Sequence, residues 1–211
     1  MQSMTQSTPT RRSQSQRRQA TRNQILDACI AVIEVKGFTK CSMAAVAENA
    51  KITTGAIQHH FDSKSELICA VVTDRIFPTM DSPTDSIKSG ASLTERCRYM
   101  VEAMWEYYGH PHYLVVWEIL FATKNQTSIQ ETIAKFFGAQ AEELENHVVE
   151  LFRDLSISTS FARHCIHFCS SHLRGLALSQ NAKRFTPSVE PQLASLSKAL
   201  EKELSDHDQA K

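Results

Sequence analysis

The chain has 211 residues, 42% of them hydrophobic and 22% charged, ordinary values for a soluble globular protein of one or two domains. No apolar run approaches the roughly 18 residues that span a bilayer, and the polar N-terminus lacks a signal-peptide core. A membrane-embedded role is thereby excluded and the cytoplasm is the expected location. The net charge is zero, but residues 1–64 carry nine Lys and Arg against four Asp and Glu, and residues 65–211 carry fourteen against nineteen. A basic first third on an acidic remainder points to a nucleic-acid partner for the first part only.

Residues 1–20 are Gln, Ser, Thr and Arg with almost no large apolar side chains, and they include Arg11, Arg12, Arg17 and Arg18. Such a segment buries too little surface to fold alone and is expected to be a disordered basic arm. As a flexible tail it is also suited to phosphate or minor-groove binding, and the two readings are compatible.

From Arg22 the pattern turns helical. Ile25, Leu26, Cys29, Val32 and Ile33 form one stripe, and Gly37 is a natural stop. Ser42 caps a second helix with Met43, Val46 and Ala47 inside. After a turn at Lys51-Ile52-Thr53, Thr53 caps a third helix that runs to about Phe61. Its outer side carries Thr54, Gln58 and His59, while Ala56, Ile57 and Phe61 anchor the other. Ser63 to Glu66 is an S-x-x-E capping box that opens a fourth helix through Leu67, Ile68, Val71 and Val72. Two short helices joined by a tight turn make a helix-turn-helix. A small helix with a polar, uncharged-to-basic tip suits the reading of base edges in a DNA groove.

Phe77-Pro78 ends the fourth helix, and Asp81 to Ser92, with Pro83 and Gly90, reads as a connector. Five further helices are expected. One carries the stripe Leu93, Cys97, Met100, Val101, Met104 and Tyr108; another starts at Pro111 and holds Tyr113, Leu114, Trp117 and Phe121. The remaining three run from about Ser128 to Asp154, Ser160 to Ala182 and Ser188 to Leu204. The last repeats Val189, Leu193, Leu196, Leu200 and Leu204 as an amphipathic stripe. No stretch alternates with period two, so the fold is all-α: a disordered basic arm over 1–20, a helix-turn-helix domain over 21–66, and a helical domain over 67–211, to which the family resemblance given below assigns effector binding and dimerisation.

Six cysteines are present and none forms a C-x-x-C pair, so they read as small hydrophobes. His59-His60 are adjacent on a helix, diverge by about 100° and are poorly placed to chelate. No metal site or cofactor is expected. Cys165, Cys169 and His172 fall at i, i+4 and i+7, which admits a metal- or thiol-redox-sensing reading. Against it, Ile166, Phe168, Leu173, Leu176 and Leu178 surround the same helix, as interface packing requires, and Gly175 would admit a facing helix. In the body, Met100, Met104, Tyr108, Tyr113, Trp117, Phe121 and Phe137 are candidate effector-pocket residues as well as core. Glu118 interrupts an apolar run, where a buried acid needs a partner. It reads as an internal ion pair with an Arg or as a ligand contact.

Arg22, Ile25, Leu26, Ala28, Gly37, Phe38, Ser42, Val46-Ala47, Gly55, His60-Phe61, Ser63-Lys64 and Glu66-Leu67 resemble the TetR family of bacterial transcription regulators, over about 47 residues. The resemblance implies a homodimer with a DNA-binding head and a ligand-binding body. It places a recognition helix at Thr53 to His60, with Thr54, Gly55 and His59 at base edges and Gln58 at the groove wall. Ser42, His60 and Lys64 match family positions that touch DNA phosphate. Ser42 and Thr53 also leave helix N-termini facing a phosphate, and Lys64 supplies a mobile charge. Three departures stand out: Gln58 replaces a usual Tyr and is suited to adenine, Lys51 replaces a turn Gly, where it is either strained or an added phosphate contact, and Cys41 replaces a common Thr.

The expectation is a ligand-responsive regulator, most simply a repressor, that binds a palindromic double-stranded operator and is released by a small-molecule effector. Dimerisation would use the last two helices, and ligand would act by changing the spacing of the two heads. No nucleophile elbow, phosphate-binding glycine loop or H-E-x-x-H motif supports an enzyme, and no catalytic residue is assigned.

Overall fold

The first described helix is capped by Ser13, whose hydroxyl accepts from the Gln16 N–H while the Gln16 side chain accepts from the Ser13 N–H, a complete capping box. The computed structural model describes residues 13–76, 90–180 and 188–210. The expectations for Arg11 and Arg12, for Phe77-Pro78, for the connector up to Ser89 and for a helix end at Ala182 lie outside these residues. Packing divides the chain into two compact units, Met1–Val71 and Val72–Lys211.

In the first unit, α1 (Gln14–Lys36) is followed by a 3-10 turn (Phe38–Lys40), α2 (Met43–Ala50), α3 (Thr54–Gln58) and α4 (Lys64–Ala70), which widens into a π-helical segment over Val71–Ile76. Residues 14–20, expected in the disordered arm, are instead the first two turns of α1. Their Gln, Arg and Ala are good helix formers, and the capping box satisfies the orphan N–H groups. The apolar stripe of α1 is buried as expected, with Ile25, Cys29, Val32 and Ile33 each 1% exposed or less. Gly37 closes the helix by donating to the Ile33 carbonyl at 2.8 Å, with φ 80° and ψ 157°, a region suited to glycine alone.

Helix α3 is shorter than expected. It ends at Gln58, and His59, His60 and Phe61 continue as looser turns whose N–H groups reach the Gly55 and Ile57 carbonyls. Ile57 and Phe61 are buried, as the sequence pattern requires, and Ala56 is half-buried. At the head of α4, Ser63 caps the Glu66 N–H at 3.1 Å. The Glu66 carboxylate accepts from the Asp62 N–H at 2.7 Å, one residue earlier than a standard capping box.

The second unit contains α5 (Leu93–Tyr108), α6 (Tyr113–Ala122), α7 (Thr127–Leu151) with a following 3-10 turn (Arg153–Leu155), α8 (Thr159–Gln180) and α9 (Val189–Gln209). No strand occurs among the described residues, and the fold is all-α. Helix α5 packs on α8 and α9, and α7 on α8. Cys97, Met100, Val101, Met104, Cys165, Cys169, Leu173, Leu196, Leu200 and Leu204 share one core. The α9 leucine stripe is therefore covered by α5 within the chain, and a subunit contact through α9 would have to use its other faces. Arg96 of α5 ties this core to the end of α7. Its guanidinium pairs with Asp154, donating to Oδ2 at 2.8 Å, and donates to the Leu151 carbonyl at 3.0 Å.

Candidate nucleic-acid surface and a separate cavity

The turn between α2 and α3 is set by two residues. Lys51 caps α2 in the left-handed region at φ 55°, ψ 41°, and the Ile52 N–H returns to the Ala47 carbonyl at 3.0 Å. For a residue with a Cβ that conformation costs about 1–2 kcal/mol, so Lys51 holds the turn under strain. From α1, the Gln24 amide donates to the Ala50 carbonyl at 2.8 Å and fixes the turn against the first helix. Sequence reading passed over Gln24 because a polar residue on an amphipathic helix looks like a solvated one.

The resulting surface exposes Ser42, Lys51, Thr53, Thr54, Gly55, Gln58 and His59, with His60 and Lys64 half-buried beside it. The Ser42 and Thr53 hydroxyl oxygens accept from the Ala45 and Ala56 N–H groups, both at 3.1 Å. Acting as caps, these hydroxyls keep their protons to donate to an outside acceptor. A Cβ built on Gly55 would meet only Thr53 Oγ1, at 3.9 Å, so the backbone there lies open to a close-approaching partner.

Two cations are more fixed than the sequence implied. Lys64 Nζ sits 4.7 Å from the centroid of the Phe38 ring, held by cation–π attraction rather than mobile. The Arg22 guanidinium lies 4.5 Å above Phe61. Burial, followed by the charges of Arg18 and Arg22 and then His59, holds the His60 pKa below the ordinary histidine value of 6.5. The first turns of α1 thus bring their arginines to the His60 edge of this surface, a placement invisible while residues 14–20 read as a free arm. Cys41 is buried with its Sγ 3.6 Å from Cys29 Sγ, so the position fills core instead of offering a hydroxyl outward.

The second unit encloses a largely apolar cavity of about 380 Å³. Met104, Tyr108, Tyr113, Trp117 and Phe137, five of the sequence candidates, line it. Three do not. Met100 is 3% exposed in the helical core. Phe121 stands 67% exposed at the end of α6, and Glu118, one residue past Trp117, turns outward and is exposed, so no buried acid exists there. The lining groups that sequence reading missed are Tyr107 of α5, Gln140 and Glu145 of α7, and Arg163, His167 and Arg174 of α8. Periodicity signals burial of apolar side chains, and it carries no mark for polar groups, such as the exposed Arg163, His167 and Arg174, that gather at the rim of a cavity.

The polar groups differ in how well they are matched. Glu145, 7% exposed, receives Arg163 Nε at 2.6 Å and Nη2 at 2.8 Å, and this pairing holds its pKa below the ordinary carboxylate value. Tyr107, Tyr108 and Tyr113 meet edge-on, with ring centroids 4.9 to 5.6 Å apart. Burial pushes the Tyr107 phenol pKa up, so it stays neutral. The Trp117 indole N–H is buried without a hydrogen bond of good geometry.

Cys165 and Cys169 lie in the core beside Cys97, and burial pushes their thiols up to about 11 and about 12. His172 is exposed. The three do not converge, and no group of three metal-ligating side chains occurs among the described residues. The metal- or thiol-sensing alternative is therefore withdrawn. Among the described residues, no helix is long and apolar enough to cross a membrane.

Residues 25–71 match the family model for bacterial regulatory proteins of the tetR family. The transcriptional repressor KstR of Mycobacterium tuberculosis is 34% identical over 88 residues, covering 41% of this chain and 40% of the repressor. The chain thus spans about two-fifths of that relative's length. In fold, the chain resembles a transcriptional regulator from Pseudomonas aeruginosa PAO1, with TM-score 0.68, 22% identity, and 96% and 97% of the two chains covered. It also resembles the regulator FadR of Bacillus subtilis, solved in complex with stearoyl-CoA, with TM-score 0.59, 16% identity, and 86% and 96% covered. With the helix-turn-helix at residues 42–58 in place and the family match enclosing it, residues 25–71 carry the N-terminal domain of the TetR family of bacterial transcription regulators.

Proposed function

We propose that this chain is a transcriptional repressor that binds a palindromic operator as a homodimer and is released when a small molecule fills the second unit's cavity. The observation that carries the reading is the exposed Thr54-Gly55-Gln58-His59 face over buried Ile57 and Phe61. Those exposed groups are uncharged donors and acceptors suited to base edges, while Ser42, Lys51, Thr53, His60 and Lys64 around them are suited to phosphate. Gln58 reads a base, with adenine the best geometric match. Residues 21–66 form the DNA-binding domain and 67–211 the effector-binding and dimerisation domain, acting in the cytoplasm without catalysis.

KstR, a repressor, supports the direction of control, and FadR, solved with a bound acyl-CoA, supports a ligand in the helical body. Release requires unequal ligand affinity for the DNA-binding and DNA-free arrangements. For the dimer, the exposed face of α8 with Ser171, Gly175 and Leu178 offers a close-approach surface, since nothing lies within 4 Å of a Cβ at Gly175. The test is an electrophoretic assay on palindromes from the chain's own promoter region. A shift that weakens steeply with salt is expected. No shift for any palindrome would remove the reading.

A further inference from the structure

The cavity has a charge balance that selects among ligand classes. Its charged lining groups are Glu145, Arg163 and Arg174, with His167 alongside. Glu145 and Arg163 neutralise one another through two short hydrogen bonds. No described residue forms a salt bridge with Arg174. Its guanidinium lies 5.8 Å from the Tyr108 ring centroid. Burial works against its charge, but the Tyr108 and Tyr113 phenols more than offset this and hold its pKa above the ordinary arginine value. Arg174 is therefore a permanent cation at the exposed rim of the aromatic wall, and among the described residues no carboxylate pairs with it.

The Trp117 indole N–H is itself buried and lies against the Tyr113 side chain, so the exposed donor on this wall is Arg174. The three edge-on tyrosines resemble a cage for a quaternary ammonium, but Arg174 already lies over one of their rings and would repel a cation. The volume of about 380 Å³ equals roughly a dozen water molecules at liquid density, room for a compact apolar group.

We propose that the effector is a compact apolar carboxylic acid whose carboxylate pairs with Arg174 and whose hydrocarbon part fills the space between Met104, Val116 and Phe137. Arg174 fixes the carboxylate as a planar two-donor fork, the geometry that favours carboxylate over other acceptors. This rests on the reading of the cavity as the effector site, and the experiment separates the two.

Intrinsic tryptophan fluorescence of the purified full chain, free of DNA, is titrated with 4-phenylbutanoate, 4-phenylbutanamide and 4-phenylbutylammonium. The acid should bind at least tenfold more tightly than the amide, with the ammonium weakest. Arg174→Gln should bring the acid to within about twofold of the amide while leaving the amide unchanged. An amide that binds as well as the acid, or an Arg174→Gln protein that keeps the preference, overturns the proposal and leaves the effector cavity standing. Saturable binding of none of the three overturns both.

Discussion

The two units of this protein present their candidate surfaces in opposite ways. The residues proposed to face DNA come from a single run, Ser42 to Lys64, and most of them stand exposed on caps and turns whose core contacts are made by other residues. The cavity draws on α5, α6, α7 and α8 between Met104 and Arg174, and much of its apolar and aromatic lining, Met104, Tyr108 and Tyr113 above all, also belongs to the core. Changes in the head can therefore separate function from stability, whereas changes in the body mix the two. Four substitutions sharpen or break that contrast.

The largest effect is expected from Gly55→Leu. The site is open, so the fold should tolerate the side chain, and helix propensity favours it by up to about 1 kcal/mol. Operator affinity should fall about a hundredfold, ~2.7 kcal/mol, because the new side chain holds the backbone away from DNA. Fluorescence anisotropy beside a thermal melt reads both, and unchanged affinity would show that α3 does not approach DNA closely. Next comes Gly175→Glu, which puts a charge on the outer face of α8 where nothing touches it within one chain. Sedimentation should show dimers dissociating at least tenfold more readily, with a melt no less cooperative. A dimer of unaltered strength would place the interface elsewhere.

Smaller again is Gln24→Ala. Loss of its bond to the Ala50 carbonyl should cost about 1 kcal/mol in denaturant unfolding and weaken operator binding by loosening the turn. The smallest is Lys51→Gly. Relief of the left-handed strain, partly offset by glycine's greater chain entropy, should stabilise the fold by up to about 1 kcal/mol. If Lys51 contacts phosphate, the slope of log affinity against log salt should become shallower by about 0.9. An unchanged slope would assign Lys51 to the turn alone.

The same contrast explains what the sequence revealed. In the head, each cap acts on a backbone group three residues away, so Ser42, Thr53 and Ser63 announce their helices directly. The exposed tip of α3 follows from those caps plus Ile57 and Phe61. What escaped notice was tertiary: Gln24 reaching across 26 residues, and Arg18 and Arg22 carried to His60 by an α1 that starts at Gln14. In the body, the apolar stripe of α5 read correctly, but apolar period alone could not tell core from cavity wall. Met100 and Met104, one turn apart on the same stripe, fall on either side of that division. Glu118 and Phe121 looked interior because α6 is apolar almost all round, which erases the periodic signal that marks an outer face. Arg174 gave no sequence signal at all, since its meaning depends on Tyr108 and Tyr113, about sixty residues earlier.

The central claim is that the α3 face reads sequence. It is tested most directly by comparing the wild-type chain with a Thr54→Ala, Gln58→Ala double variant on a promoter palindrome and on its scrambled duplex, across a salt series. The wild-type protein should prefer the palindrome. The double variant should lose at least about tenfold of that preference, ~1.4 kcal/mol, while keeping the same salt slope, because base contacts are removed and phosphate contacts are not. A double variant that retains the full preference would contradict the account.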